Sequence, residues 1–193
     1  DALIDSFPIS QPFDFIEMFA EPGTFQVISD MLEIPEEDWP EFRSSIRKLL
    51  DLTNPEQAMA ARNVVIPYLR GLIAKRRENP GDDMISQLIA AETDSRRYTE
   101  EELIDAVRFF YPAAMHNTMN ALGLCMQAVL ADPEVERRVR QNEKDKTAAI
   151  EESLRITPAI LHSFRLTERP VTIEGVDIPA NTPVVLMISS ANR

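Results

Sequence analysis

Apolar residues recur at helical spacing along most of this chain, and the longest such stretch runs from 99 to 132. Its apolar positions share one helical face: Leu103, Val107, Phe110, Ala114 and Ala121. Beyond the middle nearly every residue is apolar, so we expect burial on most sides. At about 1.5 Å per residue this central helix would run roughly 50 Å, long enough to cross a whole domain.

Two features mark the start and the middle of this predicted helix. Thr99 and Glu102 have the spacing of a capping box, in which each side chain accepts from the backbone amide of the other residue. Pro112 lacks an amide hydrogen and crowds the carbonyl of Arg108, which predicts a kink. The kink would fall about one turn before His116.

Three polar residues, His116, Asn117 and Thr118, interrupt the apolar sequence after that proline. Buried polar side chains are normally hydrogen-bonded, so one interpretation is that they bond to neighbouring helices. The other is that they face a cavity with a ligand in it, because irregular helical segments often mark such sites. The pattern of residues leaves both interpretations open.

Proline, glycine and asparagine divide the rest of the chain into shorter elements. Helices are predicted at 24–32, from 40 onwards, and at 54–79, 82–91 and 146–156, and the charged residues after Pro133 indicate a solvated face. After Pro158, β-rich runs divided by Gly175 and by the sequence PANTP indicate hairpin strands, and Asn181 occupies a turn position that favours positive φ. The predicted fold class is mainly α with a small β-sheet region, helical over 1–157 and β-rich over 158–190, in a single domain or a large part of one.

Composition and charge exclude several classes of protein. With 44% hydrophobic and 27% charged residues the chain is typical of a folded globular protein. A net charge of −12 argues against a nucleic-acid partner, since phosphates attract a basic face. No apolar run reaches transmembrane length and no signal peptide is visible, so no membrane partner is expected. The single cysteine fits a cytoplasmic location.

The two ends predict that this is a piece of a longer protein. The chain begins at Asp1 inside a predicted helix and without an initiator methionine. It stops at Arg193, just after a predicted strand.

The most specific pattern is spread over the second half of the chain. Glu152 and Arg155 are three residues apart on a predicted helix, the spacing of an ordinary ion pair. Arg165 follows in HSFRL, and the segment IPANTPVVLMISSANR comes next. Together with the long helix followed by ADPE, and with GTFQVISDMLEIPEEDWPEF upstream, this ordered set resembles the cytochrome P-450 superfamily of haem-thiolate monooxygenases, and the soluble bacterial type in particular. The resemblance covers essentially the whole chain, with Asn181 where the family has glycine.

The resemblance implies a partial cytochrome P-450-like fold and a haem (iron protoporphyrin IX) cofactor. It implies a monooxygenase that oxidises an apolar small molecule with dioxygen, with electrons from a ferredoxin and its reductase. The family's cysteine ligand to iron would lie downstream of Arg193, so no metal ligand is expected within this chain. Cys125 is not a substitute, because a cysteine among apolar residues in mid-helix is typical of a small inert hydrophobe.

The central helix departs from the family's proton-relay motif, Ala/Gly-Gly-x-Asp/Glu-Thr. Counting back from the ADPE sequence aligns 113–117 with that motif and places His116 at the acid and Asn117 at the alcohol. A shift of the alignment by one residue would place Asn117 at the acid position and Thr118 at the alcohol position. It would also place Met115 at the glycine position of the motif, so we favour the unshifted alignment. These three polar residues are the candidate catalytic residues.

By the same resemblance, Ala113 and Ala114 would contact the flat cofactor. Arg165 would pair with a haem propionate, a bidentate task that suits a guanidinium group. A surface ion pair between Arg165 and Glu168 is the alternative.

Met115, Ile160 and Leu161 would line the substrate cavity, although core packing explains these apolar residues equally well. Glu152 and Arg155 would have a structural role, locking the core behind the haem.

Two other interpretations remain open. A haem-less relative that acts as a helper by binding a partner enzyme would explain the altered acid and alcohol. A soluble helical protein with an unidentified pocket along 113–118 needs no resemblance at all. The 193-residue piece by itself is expected to be inactive, and to self-associate through the apolar face of its central helix.

Overall fold

The computed structural model describes residues 2–8, 10–49, 51, 53–91 and 97–193. The helices within these ranges are α1 (Ala2–Asp5), α2 (Glu21–Met31), α3 (Trp39–Leu49), α4 (Pro55–Glu78), α5 (Met84–Ala90), α6 (Glu100–Leu130), α7 (Pro133–Gln141), α8 (Glu143–Ile156) and α9 (Ile188–Ala191). A π-helical turn, Ile16–Ala20, precedes α2, and a 3₁₀ turn, Glu36–Asp38, precedes α3. The strands are β1 (Ser163–Leu166), β2 (Val171–Ile173), β3 (Val176–Ile178) and β4 (Pro183–Leu186). The predicted fold class, mainly α with a small β-sheet region, is confirmed.

The chain divides into two compact units, residues 1–116 and 117–193. Helix α6 is continuous across that division, so its first part belongs to one unit and its second part to the other. The single-domain organisation stays a prediction.

The core of the first unit lies among α2, α3, α4, α5 and the first part of α6. The helix predicted at 54–79 corresponds to α4, on which Val65 and Leu72 are buried. From α6, Tyr111 packs edge-on against Phe25 of α2 and Phe42 of α3, with ring centroids 6.0 and 5.1 Å apart. Such edge-to-face pairs are favourable, and they fix the first part of α6 against two neighbouring helices.

The capping box at the start of α6 is confirmed. The amide of Glu102 donates to Thr99 Oγ1 at 3.2 Å, and the amide of Thr99 donates to Glu102 Oε2 at 2.8 Å.

Pro112 lies inside α6, which continues without a break to Leu130. The kink predicted at Pro112 stays a prediction.

The expectation that α6 is buried on most sides is wrong for its second part. The buried residues of α6 end at Met115, whereas Met126 and Leu130 are exposed. An apolar sequence shows what a helix is able to bury, but burial also needs another element packed against it.

The prediction of hairpin strands is confirmed for β2 and β3, which pair antiparallel with Val171 opposite Ile178. Gly175 in their turn has φ of +78°, in the left-handed region that glycine tolerates. Strand β4 does not extend this hairpin. It pairs antiparallel with β1, from Ser163 opposite Leu186 to Leu166 opposite Pro183.

Thr167 connects the end of β1 to the turn that precedes β4. Its carbonyl accepts from the amide of Asn181 at 2.6 Å, and its hydroxyl oxygen accepts from the amide of Thr182 at 2.9 Å. These bonds tie the PANTP turn to the end of β1 before β4 begins. Asn181 has φ of +57°, which confirms the turn prediction.

Candidate functional site

The polar triplet, which we define as His116, Asn117 and Thr118, lies at consecutive positions of α6. His116 and Asn117 are half-buried and Thr118 is exposed. Within the part of the chain that the structure describes, none of the three side chains takes part in a hydrogen bond. The described chain therefore does not supply the hydrogen bonds to neighbouring helices that one interpretation required. The polar atoms of the triplet remain available to a ligand or to water.

The residues just before the triplet have different environments. Ala113 and Ala114 are half-buried, and Ala114 packs against the core of the first unit. Met115 is only 2% exposed and belongs to that core. This burial favours core packing over substrate contact for Met115.

Ile160 and Leu161, the other predicted substrate residues, precede β1 and are exposed. The carbonyl of Leu161 accepts from the amide of Ser189 at 3.1 Å, which fixes this segment to the start of α9. Exposure disfavours the core-packing explanation here, and substrate contact stays a prediction.

Arg165 lies on β1 and is exposed. Its Nη1 donates to Ser163 Oγ at 2.9 Å and to the carbonyl of Phe164 at 2.8 Å. Both acceptors are neutral, and the alternative ion pair with Glu168 is not found among the described contacts. The guanidinium charge is therefore not neutralised by a carboxylate of the described chain.

Glu152 and Arg155 form the predicted ion pair on α8. Nε and Nη2 of Arg155 each donate to one carboxylate oxygen of Glu152 at 2.7 Å, a bidentate arrangement. The hydrogen bonds from Arg155 hold the pKa of the Glu152 carboxyl below its ordinary value. The pair is fully formed on one exposed helical face.

Arg155 has a third contact that sequence reasoning missed. Its Nη1 donates to the carbonyl of Asn192, 37 residues along the chain. This bond connects α8 to the end of α9 and joins the two sequence motifs, Glu-x-x-Arg and Ala-Asn-Arg. The only signal in the sequence is the joint presence of the two motifs, since their spacing does not indicate a contact.

An apolar cleft of about 470 Å³ lies in the second unit, between the end of α6, α7 and α8. Val129, Val135 and Ile156 are among its lining residues. The hydroxyl of Ser153, which also lines it, donates to the carbonyl of Ala149 at 2.6 Å. This hydroxyl is thus satisfied from within α8. The sequence did not indicate this cleft.

The remaining candidates for metal chemistry are isolated. Across 2–8, 10–49, 51, 53–91 and 97–193, no group of three or more His, Cys, Asp and Glu residues could hold a metal ion. Cys125 is half-buried on α6. His162 packs edge-on against Phe164, with ring centroids 5.3 Å apart.

Among the described helices, none combines the length and the hydropathy that crossing a bilayer requires.

Comparison with known proteins identifies the family. The model of the cytochrome P-450 family matches residues 4–193. Cytochrome P-450 107B1 of Saccharopolyspora erythraea is 34% identical over 194 residues, which cover 100% of this chain and 48% of that protein. Vitamin D(3) 25-hydroxylase of Pseudonocardia autotrophica is 30% identical, again over 100% of this chain and 48% of the relative.

Solved structures give the same result. The ligand-free structure of cytochrome P-450 TbtJ1 matches with a TM-score of 0.87 and 36% identity, over 99% of this chain and 52% of that one. The chain belongs to the cytochrome P-450 family. It spans about half the length of the curated relatives that it matches.

Proposed function

We propose that the protein to which this chain contributes is a haem-dependent monooxygenase, which oxidises an apolar small molecule with dioxygen and with electrons from a ferredoxin-type partner. The observation that carries the proposal is the polar triplet, His116 to Thr118. In a chain of this family, it provides three polar side chains without intrachain hydrogen bonds in the described part of the central helix. Family membership supports a haem cofactor.

Two features of the chain, each considered within its own unit, support a haem cofactor. Arg165 carries a positive charge with only neutral partners, which suits a propionate carboxylate. The small side chains of Ala113 and Ala114 would permit close approach of a flat apolar ring to α6. Bound haem would supply the iron centre at which dioxygen is activated.

The side chains of the triplet would deliver protons in this reaction. The imidazole of His116 is able to accept a proton at one ring nitrogen and release one from the other. The amide of Asn117 can orient a water molecule or a substrate by hydrogen bonding, but it does not relay protons as a hydroxyl does. The hydroxyl of Thr118 both donates and accepts, but it lies two residues from His116 on α6 and does not face it, so it would act with Asn117 as the alternative pair.

Two observations support an apolar substrate. Ile160 and Leu161 present exposed aliphatic side chains at the start of β1. The relative from Pseudonocardia autotrophica is named a hydroxylase of vitamin D(3), a largely hydrocarbon molecule. The ferredoxin-type donor, the cytoplasmic location and the self-association of the isolated piece stay predictions.

The test is the absorption spectrum of the full-length protein, reduced and exposed to carbon monoxide. We expect a strongly red-shifted Soret band, which thiolate-ligated haem gives. If no Soret band develops after haem is supplied during expression, the monooxygenase proposal is wrong. A haem-less helper of a partner enzyme would then be the function to pursue.

A further inference from the structure

A second cleft lies in the first unit, between α3 and α4, and it contains none of the residues that the family resemblance assigns. Its volume is about 370 Å³, within the usual size range of small-molecule sites. The buried side chains of Phe42 and Val65 line its apolar part. The more exposed side chains of Val64 and Pro67 also contribute to the lining.

The cleft has an acidic side. Asp38 and Glu41 both line it, and Glu36 and Glu37 precede them on the 3₁₀ turn. None of these four carboxylates has a Lys or Arg partner within 4 Å in the described part of the chain. The local negative charge is therefore not compensated by the described chain.

Tyr68 is the one described residue that bonds to this acidic side. Its hydroxyl donates to Asp38 Oδ2 at 2.8 Å, which leaves Asp38 Oδ1 and both oxygens of Glu41 as acceptors. Arg76 influences Tyr68 electrostatically, but its guanidinium is paired with Asp83 at 2.8 Å and with Glu33 at 3.1 Å. Arg76 therefore does not form an ion pair with Asp38 or Glu41.

Ser45 is an independent sign of a ligand. It lines the cleft and is only 8% exposed, yet its hydroxyl takes part in no hydrogen bond within the described chain. The oxygen is not among the enclosed side-chain atoms that lack a partner, so it is open to the cleft. A ligand in the cleft would provide a partner for it.

Pro67, which lines the cleft, also leaves one backbone acceptor of α4 without its regular donor. A proline has no amide hydrogen, so the carbonyl of Asn63, four residues earlier on α4, lacks its regular helical donor. The carboxylates that line the cleft thus have several acceptor oxygens and one donor among the described residues, the hydroxyl of Tyr68. A ligand that brings several donors would complement them.

We propose that this cleft binds a small organic cation, a primary ammonium group joined to an apolar body. The ammonium would donate to the carboxylates of Glu41 and Asp38 and to the hydroxyl oxygen of Ser45. The apolar body would pack against Phe42 and Val65. An ammonium group has three donors and a positive charge, which matches both the acceptors and the uncompensated charge. This site does not depend on haem, so it goes beyond the proposed monooxygenase function.

The test uses full-length protein with labelled valine methyl groups and two matched probes, 4-phenylbutylammonium and the neutral 4-phenylbutan-1-ol. We expect the ammonium probe to shift the methyl signals of Val64 and Val65 saturably, with an affinity at least tenfold higher than that of the alcohol. These signals report on the cleft itself, so binding of an amine near haem is distinguished from binding here. Equal affinity for the two probes, or no saturable shift of these signals, would overturn the proposal.

Variants complete the test. Glu41→Gln keeps the shape of the side chain but removes its charge, and we expect binding of the ammonium probe to weaken about tenfold. Ser45→Ala removes the hydroxyl partner and should weaken binding about threefold to tenfold. Glu56→Gln, at the exposed first turn of α4, is the matched control and should leave the affinity unchanged. Unchanged affinity in Glu41→Gln would refute the ammonium assignment.

Discussion

Replacing Asp83 by alanine should destabilise the first unit more than any single surface substitution, because Asp83 joins α5 to α4. Its Oδ1 accepts from the amides of Ile85 and Ser86 at 2.9 and 3.1 Å, which caps α5. Its Oδ2 accepts from the hydroxyl of Ser86 at 2.5 Å and lies 2.8 Å from Nε of Arg76 on α4. The side chain of Asp83 is completely buried.

The magnitude follows from these contacts. Loss of an N-cap costs about 0.5–2 kcal/mol, and removal of one partner of a buried ion pair costs about 3–5 kcal/mol. Arg76 keeps a second, more exposed partner, Glu33, at 3.1 Å. This partner reduces the cost of breaking the buried ion pair. We therefore expect Asp83→Ala to lower the free energy of unfolding by about 3 kcal/mol. Asp83→Asn keeps the cap oxygen and should cost about 1–2 kcal/mol.

The assay is denaturant unfolding of the full-length protein, combined with hydrogen exchange at the amides of Ile85 and Ser86. In Asp83→Ala, exchange at these amides should accelerate on the order of a hundredfold. Asp105→Asn breaks an exposed ion pair with Arg108 and serves as the control, with an expected cost of about 0.5 kcal/mol or less. A cost of Asp83→Ala no larger than that of the control would refute the reasoning.

The same residue predicts a pH dependence. Burial raises the pKa of Asp83, but hydrogen bonds from Ser86 and Ile85 and the charge of Arg76 outweigh it, so the pKa lies below its ordinary value. A carboxyl with a lowered folded-state pKa stabilises the fold above its unfolded pKa, about 3.9, and loses this effect as the pH falls towards the folded value. The stability difference between wild type and Asp83→Asn should therefore shrink below about pH 4. A difference that grows on acidification would contradict this.

Three further predictions concern the turn, the second unit and the triplet. Asn181→Gly should be nearly neutral, whereas Asn181→Val should cost about 1–2 kcal/mol in denaturant unfolding, because valine tolerates positive φ poorly; equal costs would contradict this. Arg155→Lys cannot keep both the bidentate pair and the bond to Asn192, so amide exchange over 188–193 should accelerate; unchanged exchange would count against the connection. His116→Ala should lower turnover of the full-length enzyme by about 10²–10⁴ if the imidazole delivers protons, while the exposed control Asn120→Ala leaves turnover unchanged; equal turnover in the two variants would remove His116 from the relay.

Local signals in the sequence predicted much of this fold because they act over a few residues. The capping box of Thr99 and Glu102 and the positive φ of Asn181 depend only on nearby backbone groups, and both are confirmed. The spacing of Glu152 and Arg155 likewise fixes their bidentate pair on one helix. The order of these motifs along the chain was also sufficient to indicate the family.

Other features depend on residues that are distant in the sequence. The pairing of β4 with β1 is accompanied by bonds to Thr167, whose backbone and side chain hold the turn around Asn181 and Thr182. No pattern within the strands specified this partner. The acidic cleft between α3 and α4 arises in the same way, since Tyr68 and Asp38 are 30 residues apart.

The sequence by itself determined the approximate positions of most of the helices, the capping box of α6 and the polar triplet on α6, because periodicity and capping are properties of short segments. Only the tertiary structure decided which apolar residues are buried. Met115 belongs to a core, whereas Met126, on the same helix and equally apolar, is exposed. Burial is set by the elements that pack against a residue, and these come from distant parts of the chain.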